Sequence, residues 1–325
     1  MGDVKMKVKH IYVLFLFLPA LLYAGQADTL QIYNRSLPLL NNHFFIPNSN
    51  FESPFMTTFF KTGIGGGVSL NSIPIYANNG ELLLGTLEGE NTYVIADVHV
   101  QVEVKDWLST WFRYQANARI GSSKSTILAH GVTSITGFEF GWMLKLWQDN
   151  KNALAGVLSI NNSTVSRINL ADFIKEIIND PEWSSTSLSE SRSLLEGLTG
   201  IRYAHSFNDM VGIQAFTYAA YGESIMKYYK NVWKFDSGIL GSFNFRRSHG
   251  IPVGINLGFS IQKFALFEKQ QEDNTNSIFL KLAYTGRDEY SIGLELTYIR
   301  TIAPLIKTEN TLEYLATSFV MVYYF

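Results

Sequence analysis

Runs of alternating apolar and polar residues recur along the chain. In VIADVHVQVEV (94–104), Val94, Ala96, Val98, Val100, Val102 and Val104 alternate with Ile95, Asp97, His99, Gln101 and Glu103. A period of two is that of a strand with two unlike faces. TWFRYQANARI (110–120) sets Phe112, Tyr114, Ala116, Ala118 and Ile120 against Trp111, Arg113, Gln115, Asn117 and Arg119. In TGFEFGWMLKLW (136–147), Phe138, Phe140, Trp142, Leu144 and Leu146 oppose Glu139 and Lys145. Residues 57–70, 153–161, 198–207, 210–222, 233–246, 253–264, 276–286, 290–301 and 313–325 read as further strands, which makes about twelve. Most are near the ~9–11 residues that cross a bilayer at a tilt.

The links between these strands sort by length. Short ones at 105–109, 148–152, 207–209, 246–251 and 286–289 alternate with longer ones at 71–92, 122–135, 162–197, 223–232, 265–275 and 302–312. Membrane barrels have short turns on one side and longer loops on the other, whereas a soluble sandwich has no reason to sort them. The pattern predicts an all-β fold, a membrane-type antiparallel barrel over 57–325 with an even number of strands and both ends on the short-turn side. Val98, Val100 and Val102 then face lipid, and Asp97, His99, Gln101 and Glu103 face the lumen. Closure pairs every backbone donor and acceptor, which is what lets a sheet exist in lipid.

Composition fits this picture. Aromatic residues make up 14% of the chain, with 17 Tyr and 23 Phe, enough for aromatic girdles at two membrane interfaces. The absence of Cys removes thiolate zinc sites and thiol nucleophiles, and the formal charge of −2 shows no basic excess for nucleic acid. At the N-terminus, Lys5, Lys7 and Lys9 precede the apolar run IYVLFLFLPALLY (11–23), with Ala24 or Ala27 as a small-residue cleavage position. This reads as a secretory signal over 1–24, too short to span a bilayer.

The last residues, LATSFVMVYYF, put Phe319, Met321, Tyr323 and the terminal Phe325 on one face. They resemble the C-terminal signature of Gram-negative outer-membrane β-barrel proteins. The resemblance implies insertion into outer-membrane lipid by the barrel-assembly machinery, and an outer-membrane location. It names no function within that class.

No catalytic or metal-binding spacing stands out: there is no HExxH, GxSxG or Walker loop, and no cofactor is expected. GIGGG (63–67) lacks the order and the following helix of a phosphate loop, and is better read as relief where another segment packs close. Some outer-membrane phospholipases use a Ser/His pair, but no Ser-bearing motif here would partner His99, so an enzyme is the least favoured class. EKQQEDNTN (268–276) lacks the spacing of a calcium loop.

The expected lumen lining is mixed in sign. Basic Lys61, Arg113, Arg119, Lys145, Lys234 and Arg246 share the interior with acidic Asp97, Glu103, Glu139, Asp236 and Glu295, beside His99, Gln101, Gln115 and Asn117. A strongly selective pore carries an excess of one sign, so cross-strand ion pairs or a weakly selective channel are expected. A lumen of about twelve strands is wider than side chains alone fill. Two segments are candidates to occupy it. VSRINLADFIKEIIND (165–180) in the longest loop has helical spacing of Val165, Ile168, Phe173, Ile174, Ile177 and Ile178 and predicts an amphipathic plug or gate helix. Residues 25–56 form an irregular lead-in or plug with Leu37, Leu39, Leu40, Phe44 and Phe45. An apolar lead-in loosely resembles the FadL-like transporters, whose N-terminal segment plugs the barrel, although those have more strands and no plug motif matches. The expected function is a channel or transporter for small solutes, including apolar ones, gated by one of these segments. A non-conducting structural or surface-interaction barrel is the alternative.

Overall fold

The computed structural model describes residues 36–76, 82–120, 131–168, 189–223, 231–264, 274–305 and 308–325. Two short strands, β1 (Leu39–Leu40) and β2 (His43–Phe44), form a small hairpin. Twelve long strands follow: β3 (Phe59–Tyr76), β4 (Leu82–Lys105), β5 (Leu108–Ile120), β6 (Gly131–Gln148), β7 (Asn152–Ile168), β8 (Ser189–Ser206), β9 (Val211–Glu223), β10 (Asn231–Asn244), β11 (Val253–Phe264), β12 (Asn274–Tyr284), β13 (Tyr290–Leu305) and β14 (Thr308–Tyr324). Each pairs antiparallel with its neighbours, and β14 pairs with β3 to close the barrel. Closure leaves no edge strand, so the ladder has no unpaired row of backbone groups.

Two of the expected long loops are mostly strand. β3 and β4 run on to Tyr76 and from Leu82 through what reads as the 71–92 link, and β13 and β14 come within two residues of each other, at 306–307. The β3–β4 and β13–β14 hairpins keep pairing through these stretches. The helix expected over 165–180 is corrected at its start. Val165 to Ile168 end β7 and pair with Ser189 to Arg192 of β8. β-branched residues at 164 and 165 favour that extended backbone. The remainder of that segment, with Phe173, Ile174, Ile177 and Ile178, lies outside the described residues, as do the signal over 1–24 and 268–273. The only helix among the described residues is the one-turn α1 (Arg246–His249), closed by Gly250 in the left-handed region at φ 68°.

The two faces of the sheet differ as the alternation predicts. Ile64, Val94, Val102, Leu158, Ile239, Leu257, Leu282 and Leu294 stand exposed on the outside, while Lys61, Asp97, His99, Gln101, Arg202, Lys281 and Glu295 are buried inside. An apolar exterior around a polar interior is the inverse of a soluble protein and identifies a membrane-type barrel. Aromatic residues gather at two levels. Trp107, Trp147, Phe207 and Tyr323 are exposed near the short turns. On the far side Tyr221 packs against Trp233 at 5.1 Å. At ~3.3 Å per residue and a ~40° tilt, the run from Val211 to Tyr221 climbs about 25 Å, close to the height of a lipid-facing band.

Glycines close the seam between β3 and β14. A Cβ on Gly65 would stand 2.2 Å from the Thr317 carbonyl oxygen, and one on Gly67 would stand 2.6 Å from the Tyr314 hydroxyl. The GIGGG run is therefore a place of close approach, as its composition suggests.

Candidate functional site

Residues 37–58 lie inside the barrel. Phe44, Phe45, Ile46, Phe51, Phe55 and Met56 are buried there, although the segment has no apolar period. It enters at the short-turn end, where His43 Nδ1 is 3.3 Å from the Asp209 carbonyl oxygen. It rises to mid-lumen at Ser49–Glu52 and returns to the same end, where the Phe325 amide donates to the Thr58 carbonyl at 3.1 Å.

An irregular chain in such a place must find partners for its backbone groups, and wall side chains supply them. The Asn256 amide donates to the Ile46 carbonyl at 2.8 Å, and Lys281 Nζ to the Pro47 carbonyl at 2.6 Å. Lys61 donates to Asn48 at 3.3 Å, and Arg113 Nη2 to Ser49 at 2.7 Å. Gln101 Nε2 donates to both Phe55 and Thr57 at 2.9 Å. The Ser49 amide in turn donates to the Glu295 carboxylate at 3.1 Å, which also holds Lys281 at 2.9 Å. Six strands of the wall thus grip one irregular segment through its main chain.

The apex carries the site's central charge. The Glu52 carboxylate is paired with Arg202 Nη2, lies 3.6 Å from Arg113 Nη1 and 3.5 Å from His99 Nδ1. Burial alone would raise its pKa, but Arg202, His99, Arg113 and Lys61 outweigh that and hold it well below the ordinary carboxylate range. Both guanidiniums are set by wall residues. Arg202 Nε donates to the Tyr218 hydroxyl at 2.8 Å, and its guanidinium lies 4.8 Å over the Trp111 ring. Trp111 lies flat because its neighbour is Gly141, where a Cβ would stand 2.2 Å from the ring. Arg113 Nε donates to Asp97 Oδ1 at 2.7 Å.

Apolar seats flank this charge. Phe51 meets Phe216 edge-on at 4.6 Å, in a cluster with Leu240 and Phe279. Gly238 makes room for it, since a Cβ there would stand 2.9 Å from the Phe51 ring. Met56 packs with Trp111, Met143, Ala155 and Val157, and Phe45 and Phe55 with Leu40, Ala153 and Ala204.

Of the expected lumen residues, Lys61, Asp97, His99, Gln101, Arg113 and Glu295 come together on residues 48–57, directly or through one another. The Glu103 amide donates to Thr58 Oγ1 at 3.0 Å, near the short-turn end. Glu139 stands opposite Arg113 in the β5–β6 register. Gln115, Asn117 and Arg119 follow along β5 on the same inner face, beyond the apex. Lys145 sits by the β6–β7 bulge close to the short turns. Lys234 pairs with Glu196, and Asp236 stands opposite Tyr218 in the β9–β10 register. Arg246 is a correction. β10 ends at Asn244, and Arg246 opens α1 in the following turn, where Nη1 pairs with Asp288 at 2.6 Å outside the lumen lining. The expectation extended the strand through it because Phe243 and Phe245 keep the alternation. Phe319, Met321, Tyr323 and Phe325 share the exposed outer face.

Glu52, Arg202, Tyr218, Trp111 and Lys281 complete the cluster without having been singled out as site residues. Lys281 was legible: Ser277, Phe279, Lys281 and Ala283 are buried, against exposed Ile278, Leu280 and Leu282. Glu52 had no signal, since it stands in a segment with no period.

No protein-family model matches the sequence, and no curated protein matches it. Among solved structures, an outer membrane channel from Pseudomonas putida F1 is similar, at 10% identity and a TM-score of 0.48, with 86% of this chain and 100% of that one covered. A Pseudomonas aeruginosa FadL homologue is similar at 9% identity and 0.44, covering 89% and 99%. The translocator domain of the autotransporter NalP from Neisseria meningitidis is similar at 6% identity and 0.46, covering 83% and 88%.

Proposed function

We propose that the protein is a channel for small solutes in the outer membrane of a Gram-negative bacterium, with residues 37–58 as the gate of its lumen. Its partners in this reading are the surrounding lipid, the barrel-assembly machinery and a small solute. The observation that carries the reading is the manner in which the segment is held. Beside the apolar packing that any filler would have, this segment is tied through its carbonyls and one carboxylate to polar wall groups such as Lys281, Arg113 and Arg202. Entering water can replace the carbonyl contacts at little net cost, and an anion can take the place of the carboxylate. A barrel of this strand number is wide enough to conduct once the segment leaves.

The same burial of Glu52 among wall cations also suits a barrel that never opens and serves as a structural or surface-interaction protein. Single-channel recording in planar bilayers separates the two. The full chain should be silent or open rarely, and a variant lacking residues 37–56 should show steady steps of reproducible size. Silence of the folded deletion variant would sink the channel reading and leave the structural one.

A further inference from the structure

We propose that the seat of Glu52 is a binding site for an organic carboxylate with a compact apolar body, and that Glu52 and Phe51 occupy it in that solute's place. This deepens the gated-channel reading and rests on it. The seat does not depend on the segment that fills it. Arg202 is fixed by Tyr218 at 2.8 Å and Trp111 at 4.8 Å, and Arg113 by Asp97 at 2.7 Å. All of these partners belong to the wall, so the two guanidinium forks still aim at one point when residues 37–58 are absent. Paired guanidiniums match a carboxylate in shape as well as charge.

Charge balance makes the same demand. Near the apex the wall offers Arg113, Arg202 and Lys61 against Asp97 and Glu139, while Lys281 and Glu295 answer each other at 2.9 Å. Withdrawal of Glu52 leaves one cationic charge unanswered in a partly desolvated interior, which is costly until an anion replaces it. His99 is a second sign of an imperfectly fitted occupant. It is buried, neither ring nitrogen makes a hydrogen bond, and Nδ1 stands 3.5 Å from Glu52. A carboxylate free of the tether could approach it more closely.

The neighbouring residue specifies the rest of the ligand. Phe51 fills a ring-sized seat against Phe216 and Phe279, at 4.6 and 6.4 Å between ring centroids. Once vacated, that seat is apolar and lies next to the charged one. A small inorganic anion would leave it empty, and an uncharged aromatic would leave the guanidiniums unpaired. An aryl-alkyl carboxylate fits both.

The test uses the folded full-length protein in detergent, with 3-phenylpropionate as probe and 3-phenylpropionamide as its uncharged control, both followed by calorimetry. Glu52→Ala combined with Phe51→Ala, which empties both seats, should bind the carboxylate at least about tenfold more tightly than the unaltered chain, the scale of one charge-assisted hydrogen bond. Arg202→Gln added to it should abolish the carboxylate's advantage over the amide. Equal binding of the acid by the double variant and the unaltered chain, or equal gains for acid and amide, would overturn the site. Should the double variant not fold, the unaltered chain decides the matter. Saturating acid, and not amide, should speed chymotrypsin cleavage after the phenylalanines of 37–58, and no change in rate would overturn the proposal. Binding is read here without current. Tighter binding with a silent deletion variant would remove only the channel reading, and steady currents without the binding gain would remove only this site.

Discussion

Ile46 sits in a dent made by Gly254: a Cβ at that position would stand 2.1 Å from its Cδ1. The same atom would be 3.0 Å from the Phe243 carbonyl oxygen, so the wall cannot retreat to make room. Gly254→Val should therefore expel the N-terminal segment and spare the barrel. The expected loss is about 1–3 kcal/mol of docking, the usual cost of overpacking. It would be read as faster chymotrypsin cleavage within 37–58 with unchanged heat-modifiable migration on gels. Unchanged cleavage would mean that the segment tolerates displacement at Ile46.

Arg202 is the cation most directly engaged with the apex carboxylate. Arg202→Met keeps most of the volume beside Trp111 and leaves Glu52 with only the more distant Arg113 and His99, at 3.6 and 3.5 Å. Removing one member of a buried charge pair costs about 2–5 kcal/mol, much of it the penalty on the group left behind. Hydrogen exchange of the Ser49–Glu52 amides should rise accordingly. Glu52→Gln in the same chain should restore part of the protection, because no buried charge then remains unpaired. A double variant as unprotected as the single one would show that the carboxylate is not what Arg202 holds.

Acid should loosen the segment through His43. Burial pulls this imidazole from 6.5 down to about 4, against a weaker upward pull from the Asp209 carbonyl. Its ring packs edge-on against Phe45 at 4.5 Å, and its Nε2 has no hydrogen-bond partner. Because the docked value lies below the free one, docking is at full strength above pH ~6.5. It weakens as pH falls toward about 4 and is flat below that, since the undocked state binds the extra proton in between. The loss is at most about 3 kcal/mol. Glu52, held low, stays ionised through this window. Cleavage within 37–58 by an acid-tolerant protease should rise across that range, and His43→Phe should flatten the profile. A profile unchanged by that substitution would assign the effect elsewhere.

The barrel was legible because lipid imposes a period on every strand that crosses it. Val94 to Val104 could be read residue by residue, and of the polar positions between the valines Asp97, His99 and Gln101 are buried within the closed sheet. The periods failed wherever the environment stopped being two-sided. β3, β4, β13 and β14 continue past the stretches whose sequence alternates cleanly. At Arg246 an aromatic alternation ran on into a turn. The inserted segment is enclosed on all sides, so its apolar residues follow the dents of the wall and not any periodicity. That is why Phe44, Phe45 and Phe51 could be counted as apolar but Glu52 could not be assigned a role.

Residues 37–58 enter and leave by the same mouth, and the chain passes from Thr58 directly into β3, half of the closing seam. The insert is thus a bight and not a thread. In the gated reading it would be drawn out and pushed back by that one mouth, and no hydrogen bond between the barrel strands need break for either movement. In that reading a tether at Phe59 would keep the withdrawn loop within reach of its seat, so that re-closure would be an intramolecular event whose frequency falls with the length of the loop.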